Sequence, residues 1–129
     1  MSDDLIDRAR QAAERAYAPY SNFRVGAAVL TEDGSVFEAA NVENAAYPSG
    51  LCAESGAIVA AVSAGHRKLR SLAVACIDAK EVDESYPCGQ CRQRMNEFGV
   101  EEVLIATADG EVARYALADL LPHGFRLGH

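Results

Sequence analysis

Two short segments carry residue types that together can do metal chemistry: Cys52-Ala53-Glu54 and Pro87-Cys88-Gly89-Gln90-Cys91. Three thiolates brought to one point would bind a zinc ion and leave its fourth position open, as in a catalytic rather than a closed structural site. Water in that position has its pKa lowered towards ~7, so hydroxide becomes available at neutral pH. Glu54 is too close to Cys52 in the chain to serve comfortably as a fourth ligand. It is instead placed to take a proton from the water and hand it on. The two motifs together are a far more specific signal than either alone.

Other readings of the cysteines stay open at this point. A lone C-x-x-C also serves as a redox pair or as half of a zinc knuckle, although a thioredoxin-like pair normally follows a first strand and this one comes late. Cys76 could complete a four-cysteine structural site. It lies, however, within Ala73-Val74-Ala75-Cys76-Ile77, a strand interior where a small buried thiol is the ordinary explanation. Two disulfides would suit a secreted protein of this size. The start, Met1-Ser2-Asp3-Asp4, lacks the basic-then-apolar layout of a secretory signal, so a cytoplasmic location is expected and metal binding or catalysis is favoured.

The net charge of −7 and the absence of a basic cluster longer than His66-Arg67-Lys68 with Arg70 argue against a nucleic-acid partner. No apolar run approaches the ~20 residues needed to cross a bilayer, so no membrane is implied. A small neutral substrate fits better. With 129 residues, half of them hydrophobic, the chain reads as one domain, 1–129, able to bury a core.

The elements that must position the motifs follow from periodicity. Residues 5–17 show helical spacing from Leu5 to Tyr17, and Ala18-Pro19-Tyr20-Ser21-Asn22 breaks it. Residues 24–30 and 36–41 read as strands joined by an Asp33-Gly34 hairpin. The segment 41–50 is irregular. A buried helix is expected over 52–64, a central strand over 71–77, a polar loop over 78–86 and a helix from Cys88 or Gly89 to Phe98. A strand over 103–107, a turn at Asp109-Gly110 and a short helix over 116–121 complete the order. Each cysteine motif thus opens a helix, where the dipole favours ionised sulfur. Helices between the later strands imply a layered α/β sandwich around a mixed sheet.

The sequence also resembles the small, zinc-dependent cytidine deaminases that form homotetramers, over almost its full length. Residues 20–28, Tyr-Ser-Asn-Phe-Arg-Val-Gly-Ala-Ala, are similar to that family's Y-S-x-F-x-V-G-A-A. Asn41-Val42-Glu43-Asn44-Ala45-Ala46-Tyr47-Pro48 is similar to its N-V-E-N-A-x-Y segment, Pro87 to Gln93 to its second zinc motif, and Leu120 to Phe125 to its L-L-P-x-x-F. The resemblance implies a three-layer α/β/α sandwich with a mixed central sheet of about five strands. It implies one Zn2+ per chain on Cys52, Cys88 and Cys91, and Glu54 as proton shuttle in the attack of zinc-bound hydroxide on cytidine or 2′-deoxycytidine, giving the uridine product and ammonia. It further implies that Asn41 and Glu43 bond the ribose hydroxyls, that Phe23 packs beside the pyrimidine, and that the Ala53 N–H meets the base carbonyl. Phe125 would reach into a neighbouring subunit's site, and Tyr47 would lie at a subunit contact of the homotetramer. A related aminopyrimidine, such as a modified cytidine or a blasticidin-type antibiotic, is the alternative substrate. A non-catalytic zinc-stabilised domain is the alternative from another class.

Two positions depart from the family pattern. Ser55 stands where arginine most often follows Cys-Ala-Glu, and Gln90 stands where a small residue is common. Ser55 brings a neutral hydrogen bond but no charge to a site with an excess of thiolate, and Arg92 is a candidate to supply the missing charge. Gln90 is expected to narrow the pocket or add a polar contact.

Overall fold

Alternation along the central strands decides the layering. The computed structural model, which describes residues 2–128, runs α1 (Ser2–Ala13), β1 (Val25–Thr31), β2 (Val36–Ala40), α2 (Ala53–Ser63), β3 (Leu69–Cys76), α3 (Gly89–Glu97), β4 (Glu102–Ala106), β5 (Val112–Ala116) and α4 (Leu117–Leu120). Ala27, Val29, Leu72, Val74, Cys76, Val103 and Ile105 face one way, into the core under α2 and α3. The residues between them, Ala28, Ala73, Ala75, Leu104 and Ala106, face Leu5, Ile6 and Ala9 of α1. A strand with both faces buried between helices gives three layers, α/β/α, as expected.

The α1 face is made mostly of small side chains, and the helix comes very close. A Cβ on Gly26 would lie 2.0 Å from the Ala9 carbonyl oxygen and 2.4 Å from the Ala13 nitrogen. Only glycine permits that approach.

The sheet order is β2-β1-β3-β4-β5, with β3 and β4 parallel and every other pair antiparallel. Because β2 and β3 both run against β1, they end at the same edge of the sheet. Each is followed by a loop and then a helix. The N-termini of α2 and α3 are therefore brought to one edge, as are the residues that lead into β1. Ligand sites of open α/β sheets lie outside the carboxyl ends of the strands for this reason.

Two sequence expectations change. The first helix ends at Ala13, not Tyr17. The Tyr17 backbone is instead taken up by the 41–43 segment, with Tyr17 N–H donating to Asn41 O (3.0 Å) and Glu43 N–H to Tyr17 O (2.8 Å). Residues 112–116, outside any element expected from periodicity, form β5 at the sheet edge, which brings the strand count to five, in line with the sheet of about five that the resemblance implies. The two hairpins share one turn chemistry: Thr31 and Thr107 hydroxyls each donate to the Asp two residues on (2.6 Å in both), and Gly34 and Gly110 take φ of 90° and 94°. The second T-x-D-G was the signal for β5.

Candidate active site

Cys52 is the residue that caps α2, and Cys88 the one that caps α3, with Cys91 in the first turn of α3. Their backbones open the helices in the ordinary way, Cys52 O accepting from Gly56 N–H (3.1 Å) and Cys88 O from Arg92 N–H (3.0 Å). The three sulfur atoms all lie within 4.8 Å of one another. Zinc–thiolate bonds of about 2.3 Å put tetrahedral sulfurs about 3.8 Å apart, so the donor set fits such an ion. Cys91 is buried and Cys88 exposed, which leaves an approach from solvent. A shared hydrogen bond between Cys91 and Cys52 lowers the pKa of Cys52, and the same bond, then burial and the nearby Glu54 charge, raises that of Cys91.

Glu54 occupies the first turn of α2 and is 6 % exposed. Burial raises its pKa from the ordinary glutamate value, and its charge is felt at both Cys52 and Cys91. A buried carboxyl with a raised pKa, beside a cluster of thiols, is better equipped to hold and return a proton than an ordinary exposed glutamate. Cys76 does not join the sulfur cluster. It lies 2 % exposed at the end of β3, its thiol pushed up to about 11 by burial.

Beside the sulfurs, a cleft of about 410 Å³ is lined by Tyr20, Asn41, Glu43, Tyr47, Leu51 and Cys52, among others. Asn41 and Glu43 thus share one cavity with a metal-ligand candidate. Both also hold the cavity wall. The Asn41 amide accepts from Val25 N–H (2.9 Å) and donates to Phe23 O (3.0 Å), tying the loop before β1 to the end of β2. The Glu43 carboxylate accepts from Tyr20 N–H (2.9 Å), Ser21 N–H (3.1 Å) and the Ser21 hydroxyl, whose bond is the main cause of its lowered pKa. The Ala53 N–H lies at the start of α2, outside the helix's own bonding ladder.

Phe23 and Phe125 are not brought to this cleft wall. Phe23 is half-buried against the main core. Phe125 is 66 % exposed, and its backbone is held on α3: Gln93 donates to its carbonyl (2.8 Å) and accepts from its N–H (3.1 Å), while Asn96 donates to the same carbonyl (3.2 Å). Gln93 is a residue whose role the motif letters alone did not reveal.

Gln90 is exposed on the first turn of α3. Arg92 does not serve the thiolates, because its guanidinium donates to Pro87 O (2.7 Å) and Leu120 O (2.8 Å). Arg94 does reach the site: its Nη1 donates to Ser55 Oγ at 2.8 Å. Cys91 and Arg94 are three apart on α3 and share a face, whereas Arg92 is turned away.

A family model described as the cytidine and deoxycytidylate deaminase zinc-binding region matches residues 1–107. A cytidine deaminase of Mycobacterium tuberculosis is 47% identical over 123 residues, covering 95% of this chain and 88% of that protein. The crystal structure of cytidine deaminase from Burkholderia pseudomallei aligns with a TM-score of 0.90 at 43% identity, covering 97% of this chain and 99% of that one. A blasticidin-S deaminase of Bacillus cereus is more distant, 27% identical over 124 residues, with 92% of this chain and 88% of that protein covered.

Proposed function

This chain belongs to the zinc-dependent cytidine deaminase family, and from that premise we propose how its own residues carry the reaction. It is an enzyme of hydrolytic deamination, converting a cytidine-type nucleoside to the uridine and ammonia. The observation that carries the assignment of roles is the convergence of three cysteine sulfurs within 4.8 Å beside a buried carboxyl.

Cys52, Cys88 and Cys91 hold the zinc. Bound there, the ion supplies Lewis-acid activation of water at neutral pH. Glu54 takes a proton from the attacking water and delivers it to N3 of the base, then assists departure of the amine as ammonia. Its burial supports this, since a carboxyl with a raised pKa can both accept and release that proton. Asn41 and Glu43 receive the ribose hydroxyls in the cleft and the Ala53 N–H donates to the base carbonyl, whereas a place for Phe23 beside the base rests on the family resemblance alone. That two polar ribose-type partners and Cys52 line one cavity favours a nucleoside with an ordinary sugar. The more distant likeness to blasticidin-S deaminase leaves that antibiotic as the second substrate to test.

The homotetramer is part of the same proposal. Tyr47 (74 %), Phe125 (66 %) and Leu127 (73 %) are large apolar groups exposed on the isolated chain, and partner subunits would cover them. Phe125, held on α3 by Gln93, is then poised to close a neighbour's site. A cytoplasmic setting goes with this use of the cysteines, three kept as thiolates for the metal and Cys76 buried at the end of β3, since such thiols persist in a reducing compartment. No described helix is long and apolar enough to cross a membrane.

The test is ammonia release by the zinc-loaded protein from cytidine, deoxycytidine, cytosine, adenosine, base-modified cytidines and blasticidin S. Turnover of cytidine and deoxycytidine supports the reading. Turnover of blasticidin S alone keeps the mechanism and moves the substrate. Zinc bound without any turnover overturns the catalytic roles.

A further inference from the structure

Three thiolates around a dication carry one negative charge in excess, and position 55, directly after Glu54, holds a neutral serine. The Ser55 side chain is shielded from water at 1 % exposure, and its Oγ lies 3.2 Å from Cys91 Sγ. Arg94 Nη1 donates to that same oxygen at 2.8 Å. A guanidinium can only donate, and a metal-bound thiolate can only accept. The direction of the chain is therefore fixed: Arg94 N–H to Ser55 Oγ, and Ser55 O–H to Cys91 Sγ. A hydroxyl that accepts from a cation is polarised and donates more strongly. The other nearby arginine, Arg92, is committed to two backbone carbonyls.

We infer that Arg94 is a positioning residue of the metal centre, acting through Ser55 to stabilise the Cys91 thiolate and so supply the positive charge that position 55 lacks. Ser55 is the relay and Arg94 the source. The inference rests on the reading that the three cysteines hold zinc, and the experiment separates the two.

Cobalt(II) is loaded in place of zinc and the near-ultraviolet thiolate-to-cobalt charge-transfer band is recorded, with zinc affinity measured alongside by competition with a chromophoric chelator. A wild-type protein without that band sinks the ligand assignment itself. With the band present, Arg94→Gln and Ser55→Ala should each move it to lower energy, because an unbonded thiolate gives up electron density more readily. Each should also weaken zinc binding about tenfold. The double variant should be no worse than Ser55→Ala alone, since both act through one bond. Adding Ser55→Arg to the Arg94→Gln protein should restore both readouts. Where Arg94→Gln does not fold, Arg94→Met keeps the aliphatic stem and serves the same comparison. An unchanged band and affinity on loss of Arg94 overturns the inference. So does an Arg94 effect that persists at full size in the Ser55→Ala background.

Discussion

Cys52, Cys88, Cys91 and Glu54 stand on the first turns of two helices packed against the sheet, whereas Asn41, Glu43, Phe23 and Phe125 stand on loops and on the C-terminal segment. The helix starts are fixed by topology, because β2 and β3 end at one edge and each hands the chain to a helix there. The loops have no such frame. They are held by side chains that also face the cleft, as when Glu43 gathers the Tyr20 and Ser21 backbone and Asn41 spans Phe23 and Val25. One end of the site is positioned before any ligand arrives. At the other end, the side chains proposed to receive the substrate also maintain the wall.

That contrast can be broken by substitution, starting where the expected effect is largest. Cys91→Ala removes a proposed zinc ligand and a core side chain together, and should leave a protein with no stoichiometric zinc by metal analysis and no measurable deamination. Glu54→Gln should keep its zinc and lose about 10³-fold or more in kcat; near-normal turnover would remove the carboxyl from the mechanism. Glu43→Gln should act on both functions of the nucleoside end, raising KM for cytidine by about tenfold or more with a smaller change in kcat. A pure kcat effect would mean that the loop is not shaped by that carboxylate. Phe125→Ala should raise KM by several-fold, an aromatic contact being worth about 1 kcal/mol. It should leave zinc content untouched.

The smallest effect is one of pH. The Glu43 pKa is lowered, chiefly by the Ser21 hydroxyl. A carboxylate depressed in the folded state lends stability that is present above its unfolded value and lost as pH falls through the folded one. The loop should therefore hold at pH 7 and loosen below about pH 4.5, the ordinary glutamate value. Ser21→Ala should move that loosening to higher pH, as followed by hydrogen exchange of the Tyr20 and Ser21 amides.

The same divide decides what the sequence made legible. A cysteine opening a helix is a local event, written in Cys52-Ala53-Glu54 and Pro87-Cys88, and the structure finds the three sulfurs together. The layering was legible for a similar reason, since Ala27 to Val29 and Leu72 to Ala75 are buried on both faces and read as apolar runs. What was not legible depends on backbone directions set at a distance. Tyr17 continues the helical period of α1 but is diverted by pairing with the 41–43 segment. β5 alternates between exposed and half-buried residues at a sheet edge, too weakly apolar to stand out. Arg92, not Arg94, was the candidate charge donor, although the three-residue interval from Cys91 to Arg94 was available to show which of them shares the cysteine's face.

Gly26 lies in β1 and faces α1, on the side of the sheet turned away from the cysteine cluster. Yet α1 rests on it, and the chain leaving α1 runs through Tyr17 straight into the 41–43 wall of the cleft. A methyl group there would push the helix outward and carry the wall with it. A genetic screen for lost deamination would therefore return Gly26 alongside the cysteines, and a chemist mapping the lesion by proximity to the substrate would look in the wrong place.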